Sequence, residues 1–119
     1  MDKLIKGSLF ICCVLWSFTI QAQDATTVSG EVIDITCYLT KGGQGADHAG
    51  CAKACLKAGK PMGLLSEDGT LYLLGAGDDA AHYDALKEMA GDMAEVTGAQ
   101  SERSGMKMVV VAEAKKSGS

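Results

Sequence analysis

The stretch VSGEVIDITC, Val28 to Cys37, decides the fold. Val28, Gly30, Val32, Asp34 and Thr36 fall on one side; Ser29, Glu31, Ile33, Ile35 and Cys37 fall on the other. A period of two with β-branched residues is the pattern of a strand with two unlike faces. Gly30 in its middle implies a bend or bulge, which a small barrel needs in order to coil a long first strand. The strand is expected to end at Cys37.

Beyond it, Lys41 to Gly50 holds Gly42, Gly43, Gly45 and Gly50 and reads as a loop. A short helix is expected from about Asp47 to Ala58, stopped by Gly59 with Pro61 just beyond. Pro61 to Ser66 and Thr70 to Leu74 form a strand pair around the turn Glu67-Asp68-Gly69, where Asp-Gly is the hairpin signal. Gly75 to Asp79 is a loop, and Gly75-x-Gly77 is too isolated a pair to cradle phosphate. Asp78 or Asp79 caps a helix that runs to Ala90, with Tyr83, Leu86, Met89 and Ala90 at helical spacing, and Gly91 ends it. Asp92 to Ala99 and Met106 to Ala112 are the last two strands, followed by a frayed tail, Lys115 to Ser119. Met89, Met93, Met106 and Met108 are expected to be core or gap filling, and His82 an exposed helix residue.

Five strands with a helix between the third and fourth match the oligonucleotide/oligosaccharide-binding (OB) barrel. The expected fold is therefore mainly β: an OB-like barrel with a Cys/His-bearing helix inserted after strand 1. An open α+β sheet of the same elements is the alternative.

At the N-terminus, Lys3 and Lys6 precede an apolar run, Ser8 to Ile20, and Ala22 follows. This is the layout of a signal peptide, cleaved after Ala22. A membrane anchor wants roughly 18 apolar residues, and this run has 13. Lipid attachment at Cys12 is disfavoured because Ile11, not a small residue, precedes it. The expectation is a signal peptide at residues 1–22 and one small domain at 23–119, with the insert at 37–60. The domain would be exported to the periplasm or beyond, and touch membrane only through its leader.

Without residues 1–22, 9 of the 11 basic and 14 of the 15 acidic side chains remain, a formal charge of −5. So acidic a surface repels a phosphate backbone, and Tyr38, Tyr72 and Tyr83 are too few aromatics for a base-stacking platform. No nucleic-acid partner is expected. The chain shows neither a serine nucleophile elbow nor a haem-attachment motif, and no catalytic residue is assigned.

The chemistry lies in CYLTKGGQGADHAGCAKAC, Cys37 to Cys55. On a helix, His48, Cys51 and Cys55 stand at i, i+3 and i+7 and share a face. Cys37 comes in from the end of the strand as a fourth donor. Three thiolates and an imidazole make a tetrahedral zinc set, with copper(I) the rival occupant. Cysteines in an exported protein usually oxidise, and three of them leave one unpaired. Cβ atoms at i and i+4 of a helix are about 5–6 Å apart, whereas a disulfide wants about 3.5–4.5 Å, so Cys51–Cys55 would strain the helix. Cys37 bonded to Cys51 or Cys55 is feasible.

Gly30-Glu31-Val32-Ile33-Asp34 before Cys37-Tyr38, then His48-x-x-Cys51-Ala52-x-x-Cys55, Gly59-x-Pro61-x-Gly63-Leu64-Leu65 and Val96-Thr97-Gly98 form a pattern over roughly residues 28 to 112. It resembles a group of small exported bacterial proteins of unknown function. The resemblance implies a barrel-like fold, export and a cysteine/histidine site, and brings no established activity with it.

The leading reading is an exported zinc- or copper-binding module with ligands Cys37, His48, Cys51 and Cys55, whose partners are the metal ion and another exported protein. One alternative is a thiol-disulfide or redox-sensing protein using Cys51 and Cys55. Another is an interaction barrel that a disulfide merely braces.

Overall fold

A computed structural model describes residues 25–118. The expected signal peptide, with Cys12 and Cys13, lies outside the described residues. The strands are β1 (Ala25–Asp34), β2 (Met62–Leu65), β3 (Leu71–Ala76), β4 (Met93–Arg103) and β5 (Met106–Lys116). They close into a barrel in the order β1-β2-β3-β5-β4. Neighbours are antiparallel except β3 and β5, which run parallel. The fold is the expected OB-like barrel, and closure removes the open-sheet alternative.

Gly30 explains how one strand serves two halves of the barrel. β1 pairs with β4 from Ala25 to Glu31 and with β2 from Glu31 to Asp34, so partners change at Gly30-Glu31. A Cβ at Gly30 would lie 2.6 Å from the Leu65 carbonyl oxygen. Only glycine lets the strands cross so closely.

Three helices accompany the strands: α1 (Ile35–Lys41), α2 (Ala49–Lys57), preceded by a 3-10 turn at Ala46–His48, and α3 (Ala81–Lys87). α3 lies between β3 and β4 in the chain, as expected, and packs on β5. The N-cap residue of α3 is Ala80 rather than either aspartate of the expected pair, and Asp79, one residue earlier, accepts from the Ala81 N–H through Oδ1 at 3.0 Å. The barrel interior holds Val32, Leu64, Leu74, Val96, Val109 and Val111, with Leu56 of α2 and Leu86 of α3 closing it, all at most 3% exposed. His82 is exposed, as expected, and its Nδ1 accepts from the Ala114 N–H at 3.2 Å.

Three further expectations are corrected. The first strand stops at Asp34, and Cys37 lies on α1. β5 runs on to Lys116, through residues expected to fray. Met106 is 62% exposed rather than core filling.

The β2–β3 turn carries a pH-dependent element. Asp68 Oδ1 accepts from the Ser66 hydroxyl and from the Thr70 N–H at 3.0 Å. These bonds, the Ser66 bond first, hold its carboxyl down at about 2 from an ordinary 3.8. Because the folded pKa is depressed, the contribution to stability is present above the unfolded value and is lost as pH falls through the folded one. The difference in urea midpoint between wild type and Asp68→Ala is expected in full at about pH 6 and to close as pH approaches 2. A constant difference would show that the carboxylate charge plays no part.

Candidate metal centre

Asp34 organises the site. It is the last residue of β1 and 1% exposed, with its backbone in the extended region at φ −82° and ψ 113°. Its Oδ1 accepts from the Thr36 N–H at 2.9 Å and so caps α1. An aspartate at the N-cap satisfies one of the free amides of the first turn. This is why the β-branched residues Ile35 and Thr36 turn into a helix rather than extend the strand. α1 buries none of its residues fully, and Ile35 leans over Gly63, where an added Cβ would meet its Cγ1 at 2.7 Å.

One turn into α1, Cys37 stands beside the carboxylate, and Cys55 of α2 faces both. One ligand atom from each of Asp34, Cys37 and Cys55 lies within 4.8 Å of the other two. This group could hold a metal ion. Cys55 is fixed from behind, because Ala52 and Leu56 on the same helix are buried in the core. The other carboxylate oxygen, Asp34 Oδ2, is buried and has no hydrogen-bond partner. A buried, unsatisfied carboxylate oxygen is costly, and it gains most from a proton or a cation placed against it.

The electrostatics agree. The Cys37 thiol is raised above its ordinary 9.0, first by its proton's interaction with Asp34, then by burial and by the charges of Asp34, Cys55 and Cys51. No hydrogen bond of ordinary geometry reaches Oδ2, however. The Cys55 thiol is raised first by burial, then by the charges of Cys51 and Asp34. Without a cation the cluster therefore holds its thiol protons, and an arriving cation would displace them.

The four ligands expected from the sequence are placed differently. Cys37 and Cys55 belong to the group. Cys51 is exposed and lies one helical turn before Cys55 on the same face of α2. His48 is the last residue of the 3-10 turn and the N-cap residue of α2, and not part of that helix. Its Nε2 is buried without a partner and packs so close to Gly43 that a Cβ there would lie 2.8 Å away. Gly43 donates its N–H to the Cys37 carbonyl at 3.2 Å, which sets the imidazole beside the last turn of α1. The loop is pinned to the barrel by Glu31, whose Oε2 accepts from the Gly45 N–H at 2.8 Å. Cys37, Cys51 and Cys55 are all free thiols.

Asp34 is the candidate ligand that sequence reading missed. Its signal was present: Asp34 and Cys37 are three residues apart in DITC, and both would face the same way once that segment is helical.

The chain matches no protein-family model, no curated protein and no solved structure.

Proposed function

We propose that this chain is an exported module that binds one divalent ion of the zinc class through Asp34, Cys37 and Cys55. The observation that carries the reading is a buried carboxylate, Asp34, with an unpartnered Oδ2, grouped within 4.8 Å with two thiols. A hard carboxylate oxygen among soft thiolates suits a borderline ion such as zinc(II) better than copper(I), which favours sulfur alone. Three protein donors leave a fourth position for Cys51, His48 or an exogenous ligand. The same electrostatics work against a redox-sensing role for Cys55. Reactive sensor cysteines have lowered pKa values, whereas Cys37 and Cys55 are raised.

The test is zinc titration of reduced protein together with elemental analysis of protein freshly exported from its host. One ion per chain is expected, with loss of binding in Cys55→Ser. Because both thiols are protonated beforehand, loading at neutral pH should release about two protons per ion, and affinity should weaken as pH falls. A chain that takes up no zinc, cobalt or copper(I) under reducing conditions would overturn the reading.

A further inference from the structure

The donors of this site are graded from solvent to core. Asp34 is 1% exposed, Cys37 and Cys55 are half-buried, and Cys51 is exposed. Cys51 and Cys55 share one helix face at i and i+4, a spacing that lets one ion bridge the two side chains without any change of backbone. The two sides of the site also differ in anchorage. Asp34 and Cys55 are tied to the barrel core, whereas Cys37 rides on a helix with no buried residue, next to Leu39, which is 67% exposed. A metal that only braces a fold is enclosed by all its ligands. Here one thiol stands outside the group, exposed, on the same helix face as one of its members.

We propose that Cys51 is the exchange ligand of this site, receiving a zinc-class ion from a small-molecule chelate or thiol complex and returning it to one. The inference rests on the metal-binding reading above and deepens it: the ion is cargo rather than a permanent brace. In the first step the Cys51 sulfur forms a bond to the ion as a bond to the donor's ligand breaks, and the thiol proton passes to solvent. The Cys55 sulfur then displaces a second donor ligand, its thiol proton also passing to solvent, and the ion is held between Cys51 and Cys55. In the second step the bonds to Cys37 and Asp34 form, the Cys37 proton leaves, and the bond to Cys51 breaks, its sulfur taking a proton back from solvent. Release runs the same steps backwards. No electron transfer is involved, and the ion stays divalent throughout.

The experiment compares wild type with Cys51→Ser in two measurements. Stopped-flow mixing with the zinc complex of a chromophoric chelator gives the transfer rates in both directions, and competition with the same chelator gives the equilibrium affinity. Cys51 is exposed, so the variant should fold, which circular dichroism verifies. A true exchange ligand lowers both rates by about tenfold and leaves affinity within about threefold, since a changed path moves uptake and release together. Transfer rates equal to wild type would overturn the proposal. So would a variant that loads at the wild-type rate but releases faster and binds correspondingly more weakly, because Cys51 would then be an ordinary ligand. Wild-type protein that takes up no zinc in the competition assay overturns the metal-binding reading itself, a result distinct from either of these.

Discussion

Gly98→Ala should cost this barrel about 3 kcal/mol or more, well above the typical point substitution. Gly98 is buried on β4, with Thr26 of β1 as its partner on one side and Val111 of β5 on the other. The β4–β5 ladder shifts register between Thr97, which faces Glu113, and Gly98, which faces Val111. The irregularity brings backbone onto the glycine. A Cβ at Gly98 would lie 1.8 Å from the Val110 carbonyl oxygen and 2.8 Å from its carbon. Those atoms belong to a strand paired on both edges, so they cannot retreat without breaking the barrel's closure. Total stabilities are about 5–15 kcal/mol, so the variant should show a large drop in urea midpoint with an unchanged slope. Gly50→Ala is the matched control. Gly50 lies on α2 with open space around the position of an added Cβ, and alanine there should be neutral or stabilise by up to about 1 kcal/mol. Equal midpoints for the two variants would show that the register shift is not a rigid feature.

The barrel was legible because its signals are local. The alternation around Gly30, the Asp-Gly turn and the helical spacing of Tyr83 and Leu86 each survive in the structure at the expected place. The failures are where long-range partners decide. Lys115 and Lys116 read as a frayed tail by composition, but they pair in register with Glu95 and Ala94, and their ammonium groups reach Glu95 and Asp92 at 3.2 and 3.3 Å. Ile35 and Thr36 have strand-forming side chains, and one capping bond from Asp34 overrides them. That override also hid the site. Had the strand continued, Asp34 and Cys37 would have pointed to opposite faces; in the helix they converge. Cysteine spacing correctly drew Cys37 and Cys55 into one neighbourhood, but it gave no hint of a carboxylate contributed by the core. His48 was placed by helical spacing, and the 3-10 turn before Ala49 carries its imidazole to Gly43 instead.

Asp34→Asn separates the two roles of this aspartate and should move stability and metal affinity in different directions. Asparagine keeps an oxygen where Oδ1 accepts from Thr36, and it is as good an N-cap as aspartate. It replaces the unpartnered Oδ2 with an amide and removes a charge that is 1% exposed. The metal-free variant should therefore be as stable as wild type or more so, within about 1 kcal/mol, whereas Asp34→Ala should lose about 1 kcal/mol for the cap alone. Zinc binding should respond the other way, because an amide neither neutralises the ion nor offers a comparable donor. A weakening of at least about 10–100-fold is expected, the range that loss of even a supporting group produces. The stabilisation by ligand reports this directly. At a free zinc concentration about 1,000 times the wild-type Kd, wild type should gain about 4 kcal/mol, and a variant weakened 10–100-fold only about 1.4–2.7 kcal/mol. Urea titrations with chelator and with buffered zinc measure both quantities on the same protein. If Asp34→Asn is strongly destabilised without metal yet gains as much from zinc as wild type does, the carboxylate serves the fold alone, and the ion must be held by the thiols without it.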